Sequence, residues 1–214
     1  MGAFQSLKRQ FKTKRRWLKR RWHTLPLWYN EPDFIFIHIN KTGGSSIEKA
    51  LNLPFEHLTA QEKKAEVGAD IWLEKFTFAV VRNPFDKVCS HYRFRVKTNQ
   101  TQLQQNPIDF KEWVHKCYVE RDPYYHDQAK MFMPQMDWLC DDTGQLMVDQ
   151  IYHFESLAED FQALCEKFQL DANLPHLKSS GRVDYRTYYD APTRDVVAKS
   201  FAKDLEAFNY CFDP

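Results

Sequence analysis

A chain of 214 residues is long enough for one well-buried domain and short for two. Its 43% hydrophobic and 15% aromatic content excludes a disordered polar chain. The formal charge of +1 is uneven: nine of the fourteen residues from Lys8 to Arg21 are Lys or Arg, and outside them 21 basic residues face 29 acidic ones, so no nucleic acid is expected as a partner of the main body.

Residues 1–30 read as a basic aromatic tail, with Phe11, Trp17, Leu18 and Trp22 threaded among the charges. Such a segment suits an anionic surface, either a membrane, contacted peripherally through residues 8–22, or nucleic acid, and the plainer reading is a solvated, partly helical tail. No apolar stretch of even ten residues follows, so neither a signal peptide nor a membrane anchor is expected. A cytoplasmic location follows, at most peripheral at the inner membrane face.

Residues 31–214 then form the folded domain. The run 33–39 predicts a buried strand, and 45–51 a short helix. Thr59 with Glu62 has the form of a capping box opening the next helix. "FTFAVV" (76–81) predicts a second strand, and Pro84 sits near the first position of a helix carrying Phe85, Val88, Tyr92 and Val96. The segment 98–147 is polar and aromatic, with helix-like patches near 108–119 and 124–133. Its Trp113, Tyr118, Tyr124, Tyr125 and Trp138 fit sugar stacking or core packing equally well. "QIYHF" (150–154) predicts a third strand, Ser156 and Glu159 another capping box, and Phe161, Leu164, Cys165 and Phe168 the stripe of the helix behind it. A loop after Pro175 leads to a final helix from about Thr193. Strands alternating with helices predict an α/β fold: a single three-layer domain around a mainly parallel sheet, with a P-loop-like phosphate-binding turn.

Cys89, Cys117, Cys140, Cys165 and Cys211 are widely spaced, and no Cys or His spacing suggests a metal site, so none is expected. Reduced, mostly buried thiols fit a cytoplasmic protein.

The chemistry concentrates at two strand ends, where parallel sheets place ligands. In "HINKTGGSS" the pair Gly43 and Gly44 permits a sharp turn, and Lys41 with the hydroxyls of Thr42, Ser45 and Ser46 faces a helix start. The helix dipole adds about 0.3–1 kcal/mol, so the lysine must supply much of any anion recognition. An ordinary turn with an exposed lysine is the plainer reading. In "RNPFDKVCSHY", Arg82 directly follows the second strand and Ser90 stands two helical turns on, a pair suited to a phosphate monoester. A structural ion pair at Arg82 is the alternative. Two anion sites on one sheet ask for a ligand with phosphates at two places.

Taken in register with "MFMPQMDWLC", "IYHFESLAEDFQALCEKF", "LPHLKSSGRVDYRTYYD" and "DLEAFNY", these motifs resemble the sulfotransferases that use 3′-phosphoadenosine 5′-phosphosulfate (PAPS), in the branch of heparan 2-O- and chondroitin-type carbohydrate enzymes. The resemblance covers about residues 33–212. It implies that Lys41, Thr42, Gly43, Gly44, Ser45 and Ser46 hold the 5′-phosphosulfate, that Arg82 and Ser90 hold the 3′-phosphate, and that a late loop around Lys178, Ser180 and Arg182 closes over the nucleotide. Asn40 stands where that family has proline, Lys87 where arginine is common, and Lys178 where asparagine is frequent.

On this reading PAPS is the co-substrate, no metal is required, and the acceptor is a hydroxyl, expected on a glycan. Lys41 is then a catalytic residue, stabilising charge on the transferred group. A base is also needed. His57 is the candidate, because it lies between the two motifs just before the helix that Thr59 opens, with Glu56 as the nearest substitute. His38, inside the first predicted strand, is read as structural, and His91 and His126 are left unassigned. The competing functions are a small P-loop kinase, which would need Gly-Lys-Ser/Thr at the end of its loop, and a non-catalytic nucleotide-binding module with a membrane-binding tail.

Overall fold

The apolar runs pair as expected in the computed structural model, which describes residues 32–174 and 183–213, all but Pro32 within one compact unit, Asp33–Pro214. Strands β1 (Phe34–Ile37), β2 (Phe76–Val81) and β3 (Gln150–His153) lie in that order, parallel throughout. Phe36 stands beside Phe78, and Ala79 beside Ile151. The central strand is buried from Thr77 to Val81, because helices cover both faces of the sheet.

Alternation sorts the strand residues between those faces. Phe34, Phe36, Phe78 and Val80 pack with Ile47 of α1 (Gly44–Ala50) and with Leu157, Phe161, Leu164 and Cys165 of α7 (Leu157–Phe168). Ile35, Ile37, Ile39, Ala79 and Val81 pack with Ala60 of α2 (Ala60–Val67), Trp72 of α3 (Ala69–Glu74), and Trp138 and Leu139 of α6 (Met136–Leu139). The three-layer α/β architecture is therefore the observed one. A third core lies beside the sheet, where α4 (Pro84–Lys97), α5 (Phe110–Val114) and α8 (Ala191–Ser200) enclose Phe85, Trp113, Phe132, Val197 and Phe201.

Local signals hold where backbone chemistry decides them. Thr59 forms the capping box with Glu62, and Pro84 occupies the first turn of α4. Three expectations change. Ser156 makes no cap: its hydroxyl donates to Asp160 Oδ2 at 2.8 Å, because the single 3₁₀ turn Phe154–Ser156 leads straight into α7. The last helix is two, α8 and α9 (Ala202–Ala207), broken at the buried Phe201. That break brings the Asp204 carboxylate to the main-chain N–H groups of Gln135 and Met136, at 2.8 and 2.9 Å. Finally, Trp113 and Trp138 are fully buried and Tyr118 packs on Trp113, Phe132 and Phe201, so these three belong to the core and not to a sugar-stacking wall.

Candidate functional site

Beyond β1 the chain bends through Asn40–Gly43 into α1. Lys41 has φ 68°, a left-handed conformation costing a non-glycine residue about 1–2 kcal/mol. The two glycines answer different needs. Gly43 has φ 87°, and a Cβ there would stand 2.8 Å from Leu157 of α7. At Gly44 a Cβ would lie 2.0 Å from Cδ2 and 2.4 Å from Nε2 of His38, so its missing side chain makes room for that imidazole. Thr42 is fully buried, and its hydroxyl donates to the Ile39 carbonyl at 2.8 Å, which leaves Ser45 and Ser46 as the hydroxyls on the open side of the turn.

Beyond β2, Asn83 caps α4 by accepting the Phe85 N–H at 3.0 Å. Arg82 is braced. Its Nε and Nη2 donate to Asp86 Oδ2 at 3.0 and 2.9 Å, and its Nη1 to the Lys41 carbonyl at 2.8 Å. Its guanidinium lies 4.1 Å from the Phe154 ring centroid. The main chain of Arg82 is held as well: the amide of Gln135, wholly buried, accepts its N–H and donates to its carbonyl, both at 2.9 Å, and Asp204 fixes that amide at 3.1 Å. An arginine has five N–H donors, so this bracing leaves capacity on the terminal nitrogens. The ion-pair reading of Arg82 is thus correct without excluding an anion. Lys87 does not share the role. It is 2% exposed, under the charge of Asp204 and 5.4 Å from the Phe201 ring, and is not among the residues lining the cavity at the strand ends.

Both strand ends open into one cavity of about 360 Å³. Asn40, Lys41, Gly43, Gly44, Ser45, Ser46, Arg82 and Ser90 line it, as do His38, His57, Phe94, Arg95 and Phe154. Lys41 reaches across to the Phe94 ring, Nζ standing 4.0 Å from its centroid. Burial, with the charges of Arg82 and Lys97, lowers the Lys41 ammonium to about 8, and burial brings Arg82 down to about 10. Lys178, Ser180 and Arg182 lie outside the described residues, as does the tail 1–30.

His57 arrives from the segment before α2. Its Nδ1–H donates to the His38 carbonyl at 3.0 Å, an assignment set by the hydrogen-bond partner, and that leaves the Nε2 lone pair for a proton. Burial chiefly lowers its pKa, so the neutral imidazole prevails at neutral pH. His38 corrects its own expectation. It lies just past the strand and lines the cavity, with Nδ1 bound to Glu48 at 2.8 Å. Sequence reading also missed Gln135, Asp204 and Asp86. Of these only Asp86, four residues after Arg82 on the same helix, carried a local signal. Among the described residues no group of three or more His, Cys, Asp or Glu side chains is placed to hold a metal ion, and no helix is long and apolar enough to cross a membrane.

A model of the sulfotransferase family matches residues 29–211, nearly the whole chain. This protein belongs to the sulfotransferase family. No match is found among curated proteins. Among solved structures, a sulfotransferase from Alicyclobacillus acidocaldarius is similar to it, with a TM-score of 0.45 and 16% identity over 85% of this chain and 100% of that one. Sulfuryl transfer to an acceptor is accordingly the reaction of this sulfotransferase, and the cavity at the two strand ends is where its polar groups converge.

Proposed function

We propose that this sulfotransferase moves the sulfuryl group of PAPS to a hydroxyl of a carbohydrate acceptor by in-line displacement. The observation that carries the reading is convergence. The Lys41–Ser46 turn and the Arg82–Ser90 helix start, 41 residues apart in sequence, face one cavity that also holds an imidazole with an unprotonated nitrogen. The fit to a nucleotide with two phosphates is supported by the room that Gly43 and Gly44 leave and by the two cations lodged in the wall. When bound, PAPS supplies an activated sulfur and a phosphate leaving group.

The residues divide the work. Arg82 and Ser90 orient the 3′-phosphate, while the turn from Lys41 to Ser46 takes the 5′ end. The Lys41 ammonium, on a flexible stem, meets the charge that develops on sulfuryl and bridging oxygens. His57 Nε2 receives the acceptor proton. Lys178, Ser180 and Arg182 are proposed to close over the nucleotide, from the resemblance in that loop. The glycan acceptor likewise rests on the branch resemblance. Membrane contact through residues 8–22 rests on their charge and aromatic content, and a cytoplasmic setting on five unpaired cysteines. Family membership lends no support to the kinase reading.

The test has two arms. Adenosine 3′,5′-bisphosphate should raise the melting temperature where ATP with magnesium does not, and radiolabelled PAPS should label members of a glycan panel. His57→Ala should bind the bisphosphate as the parent does while turnover falls about 10²–10⁴-fold. Near-full turnover in His57→Ala would remove it as the base.

A further inference from the structure

Two imidazoles share one wall of the cavity, and the second is backed by a buried carboxylate. His38 is 3% exposed and Glu48, on α1, is 4% exposed. The His38 Nδ1–H donates to Glu48 Oε1 at 2.8 Å, and the same oxygen accepts the Glu56 main-chain N–H at 3.2 Å. Oε2 is buried with no hydrogen-bond partner among the described residues. A carboxylate in that position is costly to bury, and Ile47 beside it already supplies the apolar contact of α1 with the sheet. Its presence calls for an electrostatic reason.

His38 in turn holds His57 twice. Its carbonyl takes the His57 Nδ1–H at 3.0 Å, and the two ring centroids stand 4.2 Å apart. Gly44 is the residue whose missing side chain lets the His38 ring lie there. Glu48, His38 and His57 thus form a chain from a buried negative charge to the imidazole facing the cavity.

Resting on the sulfotransfer reading above, we propose that Glu48 and His38 are positioning residues: His38 orients the His57 base, and Glu48 holds His38 and balances the positive charge that His57 gains. In the chemical step the O–H pair of the acceptor becomes the new O–S bond, the S–O bond to phosphate breaks with its pair on the leaving group, and the proton goes to His57 Nε2. The imidazolium so formed sits on a partly buried ring. Around it, burial, His38 and the Lys130 ammonium oppose the charge, while Glu48 favours it and the His38 carbonyl supports it by hydrogen bonding. Phe55 and Trp138, the other rings beside it, carry no charge. Glu48 is therefore the carboxylate whose field makes proton acceptance by His57 easier.

Histidine C–H signals followed by NMR through a pH titration, with His57 assigned by its loss in His57→Gln, test this without any acceptor. The His57 midpoint should move to lower pH in Glu48→Gln and not in His38→Asn, which removes a ring that opposes the charge while keeping the main-chain carbonyl. Turnover of radiolabelled PAPS with the glycan panel should fall about 10–100-fold in both, a part of the ~10²–10⁴ that a general base contributes, while adenosine 3′,5′-bisphosphate binds with parental affinity. The acid limb of the rate profile should follow the midpoint downward. A midpoint that stays in place or rises in folded Glu48→Gln, where the parent turns over PAPS, overturns this inference alone. A parent that transfers nothing from PAPS overturns the function proposed above.

Discussion

The two strand ends bring their cations to the cavity in opposite ways. After β2, Arg82 is clamped from every side: Asp86 and the Lys41 carbonyl hold its guanidinium, Phe154 lies against it, and Gln135 grips its main chain. After β1 the backbone is bent into a left-handed turn at Lys41, while the ammonium itself rests on an aromatic ring. A clamped guanidinium is preorganised for a group that stays put, and a lysine on a four-carbon stem can follow a group that moves. The contrast is what the proposed function asks of a nucleotide anchored at one phosphate and reacting at the other.

Arg82→Ala should break the contrast most visibly. On the proposed function it removes the charge-assisted hydrogen bonds that Arg82 would give a phosphate, together with the bracing of the strand end, so adenosine 3′,5′-bisphosphate affinity should fall by at least about 100-fold and the melting temperature should drop. Lys41→Ala should lose about 10–100-fold in affinity with a smaller drop in melting temperature, because among the described residues its ammonium meets only the Phe94 ring. Calorimetric titration and thermal melts on both variants decide the matter, and equal melting losses would dissolve the distinction.

Gly44→Ala comes next. Its Cβ would meet His38 at 2.0 Å, so the ring must shift, at a cost of about 1–3 kcal/mol in stability and with lower turnover. Combining it with His38→Ala should recover most of the stability but not the turnover, a coupling that chemical denaturation can read. Additive losses would mean that Gly44 is needed for its backbone and not for the imidazole.

The smallest effect expected is a pH dependence that separates the two ends further. Lys41 titrates at about 8 in the free protein, while Arg82 stays charged to about 10. A bound anion favours the protonated lysine, so bisphosphate affinity should be level below that pH and fall as pH rises through it, by at most ~10-fold per unit. Lys87, also lowered to about 8 by burial, could mimic this. Lys41→Arg, which keeps its charge, should therefore flatten the profile, and a fall that persists would assign it to Lys87.

Much of the fold was legible because its signals are local. The runs at 34–37, 76–81 and 150–153 read as strands from their own apolar content, and Thr59 and Pro84 mark helix starts through bonds to their own neighbours. Ser156 shows the limit: the same spacing that caps α2 failed at α7, where Asp160 captured the hydroxyl. The site was legible in its charged and glycine residues and opaque in its supports. Gln135 and Asp204 reach Arg82 from 53 residues away and from 69 residues beyond that, with nothing in their own neighbourhoods to announce it.

By itself, then, the sequence determined the α/β order and the two strand-end motifs with their turn glycines and cations, since hydrophobic period, turn glycines and cationic side chains act over a few residues. Tertiary structure alone decided that both motifs open into one cavity, that Trp113 and Trp138 belong to the core, and that His38 faces His57 instead of hiding in a strand. Those outcomes depend on which surfaces meet when the sheet is covered, and burial and electrostatic fields are properties of that packed arrangement, not of any short stretch of chain.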